Sequence, residues 1–385
     1  MAIKDIYTIL NSIHDQATGQ SAMVATDTKD FVSQATTTLQ AGVDTAYNAL
    51  MQVTMRPIFA VRDYSEKFSG LYLSSEEYGA IRRKISFADK GIPAGEEVYH
   101  PIDGTAVDHY VINKAEPVEM RFYGSATYED WLTVFEDQVK TAFSAPNELS
   151  AFITAQVTHQ NNKYKQWREE LARATMVNFI AAKMDLNNGV VHLLTEYNTE
   201  TGLSLTTQDI WKPQNVGNFF RWVRARINNL ARMMNERSGE FQVTLTGKKI
   251  NRHTPYADMR MYISAKCLDQ IDTMVNTVTY HNEPLAYADV EAVSYWQDIK
   301  NPTSFNVTPN EINATGAVVD ASAAVTTNDL FGIIFDRDAI GINQEMYSIT
   351  NTPMNARGHY FNTFLVSRNT YMNDLSEKAC ILLLN

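Results

Sequence analysis

The sequence predicts an α+β chain of two lobes organised around one long helix. Three observations carry this. A helical pattern runs over 146–184, strand-like alternation occupies 78–113 and the C-terminal tail, and a separate block with its own helical stripe lies between them at 190–341. At 385 residues the chain is too long for one compact core, so more than one lobe is expected.

Residues 1–66 read as an arm. Ile3, Ile6, Leu10 and Ile13 form one short amphipathic stripe, and Leu39, Val43, Tyr47 and Leu50 form a second, with polar chain between. Two such helices bury little by themselves and need a host surface, their own body or a neighbour's. The stretch 78–113 predicts a long hairpin with turns at ADKGIPAGEE and at Asp103-Gly104. A lone hairpin is marginal in water, so it lies either on a partner or folded over its own domain. EMRFYG at 119–124 predicts a short strand. Trp131, Leu132, Phe135 and Val139 predict a helix over 128–142.

The spine helix follows. Ser144 and Asn147 are candidate N-caps, Pro146 suits a first turn and Glu148 suits the positive end of the helix dipole. Ile153, Val157, Gln160, Tyr164, Trp167, Leu171 and Ala174 share one face, and Asn187, Asn188 and Gly189 supply the stop. The polar break from His159 to Lys163 is expected to face solvent or a neighbour. In the next block, Phe219, Phe220, Val223, Ile227, Leu230 and Met234 mark a helix over 216–237 closed by Gly239. FQVTL at 241–245 and MRMYIS at 259–264 predict strands, 265–277 a helix, 313–328 a surface loop, and LFGIIF at 330–335 a buried strand. The tail predicts long strands, a bend at Asn373-Asp374, and a final buried strand over 379–384 that packs back onto the spine helix.

Composition narrows function. Hydrophobic content of 44% with 20% charged residues is ordinary for a folded protein. A net charge of -11 argues against general nucleic-acid binding. The nine Lys or Arg between Arg221 and Arg260 read as a solvated basic helix face. With only Cys267 and Cys380, there is no disulfide framework and no cysteine zinc pattern. MAIKDIYTILNSI has neither the basic start nor the apolar core of a signal peptide, and no apolar run reaches 18 residues, so a cytosolic product without a membrane span is expected.

No catalytic constellation stands out. Gly247-Lys248-Lys249 has the wrong glycine spacing for a phosphate loop and lacks its Ser or Thr. Cys267 with His253 or His281 can be drawn as nucleophile and base, but packing is the better reading of that thiol. Asp336 and Asp338 at a strand end suit a cap or local salt bridge better than metal or acid–base chemistry. No cofactor is expected. Elements that cannot bury themselves point instead to self-assembly.

LFGIIFDRDAIG, followed by TPMNARGHYFNTFLVSRNTYMNDLSEKACILLLN, resembles the C-terminal region of tailed-bacteriophage major capsid proteins. The residues that carry the match are Asp338-Ala339-Ile340-Gly341, Pro353 with Asn355-Ala356-Arg357-Gly358, Tyr360-Phe361-Asn362, Asn373-Asp374-Leu375 and the aliphatic end at Leu382 to Leu384. The order of elements agrees along nearly the whole chain. The resemblance implies the tailed-phage and herpesvirus capsid fold. It divides the chain into an N-terminal arm (1–66), an extended loop (78–115) lying across a neighbouring subunit, a peripheral domain (116–189 and 343–385) holding the spine helix, and an axial domain (190–342).

It further implies a non-enzymatic shell subunit of pentamers and hexamers that forms an icosahedral head. Implied partners are copies of itself, a portal, a separate scaffolding protein, a decoration protein in some shells, and double-stranded DNA packaged without sequence-specific binding. Assembly would take place in the host cytoplasm. Lys84, Lys90, Glu96, Glu97, Asn355 and Arg357 are candidate inter-subunit contacts. Some relatives cross-link a loop lysine to a peripheral asparagine, and Lys84 or Lys90 with Asn355 have the residue types, although no motif demands the link. Rival readings are a nanocompartment shell of the same fold that encloses a cargo enzyme, an enzyme with an unrecognised site, and a tail-tube or sheath protein.

Overall fold

Two apolar runs, LFGIIF and ACILLL, alternate between two helical layers and so set the centre of the molecule. In the computed structural model, which describes residues 67–73, 82–89, 110, 112, 114–122, 124–136, 146–244, 248, 250–276, 289–312, 317–321 and 323–385, both runs are strands. The predicted arm and most of the predicted hairpin lie outside these residues.

The strands are β1 (Arg82–Phe87), β2 (Pro117–Phe122), β3 (Gly124–Phe135), β4 (Val190–His192), β5 (Met259–Ser264), β6 (Asp289–Val293), β7 (Phe305–Val307), β8 (Asn310–Ile312), β9 (Val318–Asp320), β10 (Val325–Thr327), β11 (Leu330–Asp336), β12 (Ile340–Asn351), β13 (Tyr360–Asn373) and β14 (Ala379–Leu383). The helices are α1 (Pro146–Asp185), α2 (Leu193–Thr201), α3 (Pro213–Asn235) and α4 (Ala265–Asn276).

A five-stranded sheet runs β4-β14-β11-β5-β6. The C-terminal β14 is parallel to β4 and antiparallel to β11. Both faces of this sheet are covered, which is why its inner strands read as continuous apolar runs. Ala379, Ile381 and Leu383 join Met176, Phe179 and Ile180 of α1 in one core. Cys380, Leu382 and Leu384 join Phe219, Val223, Ile227 and Leu230 of α3, with Leu193 of α2 and Ile271 of α4, in the other. The terminal strand therefore packs on the spine helix, as the tail predicts.

A second sheet, β12-β13-β3, is antiparallel throughout, with a bulge between Gln344 and Met346. Its inner face meets the middle of α1. The Tyr164 hydroxyl hydrogen-bonds the Ser367 hydroxyl at 2.9 Å, and Lys163 pairs with Asp130 at 3.0 Å. The 40-residue α1, about 60 Å long, thus spans both sheets. It stops where expected: Asn187 and Gly189 take left-handed φ of 46° and 71°, and a Cβ on Gly189 would lie 2.4 Å from the Ala379 carbonyl oxygen.

Several expectations are corrected. Residues 124–135 form β3, not the start of a helix over 128–142. Their burial alternates strictly, and all twelve pair with β13, from Gly124 opposite Tyr371 to Phe135 opposite Tyr360. FQVTL is not a strand in its described part, 241–244. Phe241 has φ 63°, and its carbonyl is taken by the Ala379 amide and the Lys183 ammonium. Helix α3 closes on extended Glu236 rather than Gly239, because Glu236 leaves helical geometry first. The loop expected over 313–328 contains β9 and β10, and β10 pairs with β7. On α1, Ala174 is exposed. Beyond Leu171 the buried face rotates to Ala172, Met176, Phe179 and Ile180 because α1 there leaves the three-stranded sheet for the five-stranded one.

Candidate functional site

The sequence places charged residues beside the most apolar run of the chain, in DLSEKACILLLN. The structure buries all of them: Asp374, Glu377 and Lys378, and the Ser376 between them, are at most 5% exposed. Buried charge must find partners, and here the partners tie the β1–β2 hairpin to the body. Lys84 of β1 reaches the Asp374 carboxylate at 2.9 Å and also pairs with Glu377. Arg252 pairs with the same Glu377 and donates to Ser86 at 3.2 Å and Ser376 at 3.1 Å. Further along, Asp89 accepts from Arg237 at 2.8 Å and from the Asn251 amide at 2.6 Å.

The electrostatics of this hub are uneven. Burial lowers the Lys84 ammonium pKa, but Asp374 and Glu377 more than offset it, so it stays above the ordinary lysine range. Burial raises the Glu377 carboxyl above its usual range by more than Lys84 and Arg252 pull it back. Such a cluster adds little net stability and is better suited to fixing geometry.

What the hub fixes is a strand, β1, with its apolar side chains turned outward. Ile85 and Phe87 are 57% and 61% exposed, while Lys84 and Ser86 point inward. The outer face of the three-stranded sheet is similar. Trp131 and Phe135 are 60% and 48% exposed, opposite Phe364 and Tyr360 of β13. Isolated exposed hydrophobes are common, but aromatic and aliphatic side chains recurring on one face mark an interaction surface.

Of the candidate contact residues, Lys84 lies in the hub, engaged within its own chain. Lys90, Glu96 and Glu97 lie outside the described residues. Asn355 and Arg357 sit in the tight turn before β13, where Asn355 Oδ1 accepts from the Arg357 and Gly358 amides at 3.0 and 2.9 Å. The length of β13, on the order of 40 Å, separates that turn from Asp374, so Lys84 and Asn355 do not meet within one subunit. Sequence reasoning missed Asp374, Glu377 and Arg252. The available signal was charge lodged in an otherwise apolar tail.

Of the chemistry considered from sequence, His281, Gly247 and Lys249 lie outside the described residues. Cys267 is buried, and burial pushes its thiol up to about 12, while His253 is exposed. A thiol held protonated this way is a packing residue. Asp336 Oδ1 accepts the Asp338 amide at 2.9 Å, a cap on the β11–β12 turn. Lys248 lies 3.9 Å from Glu116. No cluster suited to a metal ion occurs among the described residues, and no described helix is long and apolar enough to cross a membrane. A cleft of about 690 Å³ between α1 and the 295–310 segment has Glu170, Ala174, Asn178, Tyr295 and Gln297 in its lining.

A model of the Phi29-like phage major capsid protein family matches residues 7–383. A chain in the capsid structure of Staphylococcus phage Andhra superimposes with a TM-score of 0.51 at 8% identity, covering 83% of this chain and 84% of that one. A chain in a structure of the head fiber and inner core protein gp22 of native bacteriophage P68 superimposes with a TM-score of 0.53 at 10% identity, covering 83% and 85%. Among curated proteins nothing matches. At such identities the superpositions establish the fold, and the family match establishes kinship.

Proposed function

The chain belongs to the Phi29-like phage major capsid protein family, and from that premise we propose how its parts serve a shell. The protein is a phage major capsid protein, a structural component of the virion that associates with copies of itself. In the proposed arrangement, pentamers and hexamers close into an icosahedral head around double-stranded DNA. Residues 78–115 form the extended loop laid across a neighbour. Residues 1–66 are the arm, 116–189 and 343–385 the peripheral domain, and 190–342 the axial domain, with β14 crossing into the axial sheet. The subunit is not an enzyme and uses no cofactor. A portal and a separate scaffolding protein guide assembly in the host cytoplasm, and a decoration protein is a further candidate partner. The acidic balance of the chain suits a wall along which packaged DNA moves without being held.

The observation that carries this reading is the pair Ile85 and Phe87, apolar and exposed on a strand whose inward positions are polar. A second copy covering that face removes both from water, and many such modest contacts sum through symmetry. The double variant Ile85→Asp with Phe87→Asp tests it. Because both side chains are exposed, subunit stability should change by less than about 0.5 kcal/mol for each substitution. Shell yield, measured by sedimentation under conditions that assemble the wild type, should collapse. Normal shell yield from this variant would remove the hairpin from the assembly mechanism.

A further inference from the structure

Strand β1 has its pattern reversed. In an antiparallel pair, residues directly opposite share a face. Lys84 lies opposite Met120 and Ser86 opposite Val118, so two polar residues accompany two buried apolar ones. Ile85, opposite Glu119, and Phe87 are outward. The outer face is rimmed by Arg83 and Arg121, which both donate to Glu119, at 2.8 and 2.7 Å. Ordinary patterning would place Ile85 and Phe87 inside, beside Val118 and Met120. A slip of β1 by one residue does this, because it turns every side chain to the opposite face. By hydrophobic burial alone, the slipped strand is the better monomer.

What opposes the slip is the charge beneath the strand. In the observed register Lys84 meets Asp374 and Glu377, Ser86 accepts from Arg252, and Arg252 pairs with Glu377. Slipped, Lys84 would leave the hub, and Asp374 would remain buried without that cation. Stranding one member of a buried ion pair costs about as much as burying two hydrophobic side chains gains, so the contest is close enough for one residue to decide. We propose that Lys84 sets the register of this hairpin, its ion pairs with Asp374 and Glu377 holding Ile85 and Phe87 on the outer face. Lys84 is then a positioning residue that keeps the subunit competent for a partner at the expense of its own burial. This deepens the assembly reading. Its test uses the unassembled full-length chain, so it can fail while the assembly reading stands.

The experiment introduces Ile85→Cys or Ser86→Cys singly and follows modification by a water-soluble thiol reagent. Cys267 and Cys380 are buried, so the new thiol dominates the signal. With Lys84 present, Ile85→Cys should react roughly tenfold faster than Ser86→Cys, as an outward and an inward position on one strand should. In a Lys84→Gln background, which removes the charge without placing an apolar side chain on the inner face, the order should reverse, and Lys84→Arg should restore it. An unchanged order in folded Lys84→Gln overturns the proposal. If Lys84→Gln does not fold, the combination Asp374→Asn with Glu377→Gln carries the same comparison. There, an unchanged order likewise overturns the proposal and a reversed order supports it.

Discussion

Lys183 holds three segments together at one atom. Fully buried near the end of α1, its Nζ donates to Asn188 Oδ1 at 2.9 Å, to the Phe241 carbonyl at 2.9 Å and to the Glu377 carbonyl at 3.3 Å. Three acceptors match the three N–H groups of an ammonium. Burial nevertheless brings its pKa down to about 7 from the ordinary 10.5. Between those two values the unfolded chain binds more protons than the folded one, so this residue makes stability rise with pH across that window. Lys183→Met should flatten that rise in denaturant midpoints measured from pH 7 to 10. At pH 7 it should cost on the order of 1–3 kcal/mol through its stranded carbonyls. Midpoint curves for wild type and variant that run parallel over that range would contradict this. None of it was legible locally. Lys183 reads as an ordinary helix-end cation, and its acceptors Phe241 and Glu377 lie 58 and 194 residues away. The tail charges could be read as unusual, but which cations they meet depended on the fold.

Among the elements, legibility followed how local the deciding contacts are. Helix α3 and strands β5, β11 and β14 announce themselves by a clean period or an unbroken apolar run, and each lies within a residue or a few of its expected bounds. Strand β3 does not. Trp131, Leu132 and Phe135 fit a helical stripe as well as an alternation, and the strand that decides the matter, β13, pairs from more than 200 residues downstream. The same logic separates what substitutions should do. Phe179 of α1 is fully buried in the core shared with β14, so Phe179→Ala should cost roughly 3–5 kcal/mol in urea unfolding. Trp131, larger still but 60% exposed, should cost under about 1 kcal/mol as Trp131→Ala. Equal losses at both positions would mean that the outer face of the three-stranded sheet is buried within the subunit.

For the whole molecule, the chain path explains why a C-terminal motif could identify the family. Strand β14 closes the sheet begun by β4 and shares both cores, so the last residues contact helices from much of the chain. That tail is buried on both faces, which constrains it more than the solvent-facing hairpin. The hairpin and the arm read as parts in need of a host, and the inverted face of β1 gives the hairpin a physical reason to seek one. The central claim is that such surfaces are completed by neighbouring copies in a closed shell. Cryo-electron microscopy of particles assembled from this chain tests it most directly. Closed icosahedral shells are expected, with this chain at five-fold and six-fold positions and residues 78–115 crossing an adjacent subunit over Ile85 and Phe87. Helical tubes, or closed shells in which that hairpin folds only onto its own subunit, would contradict it.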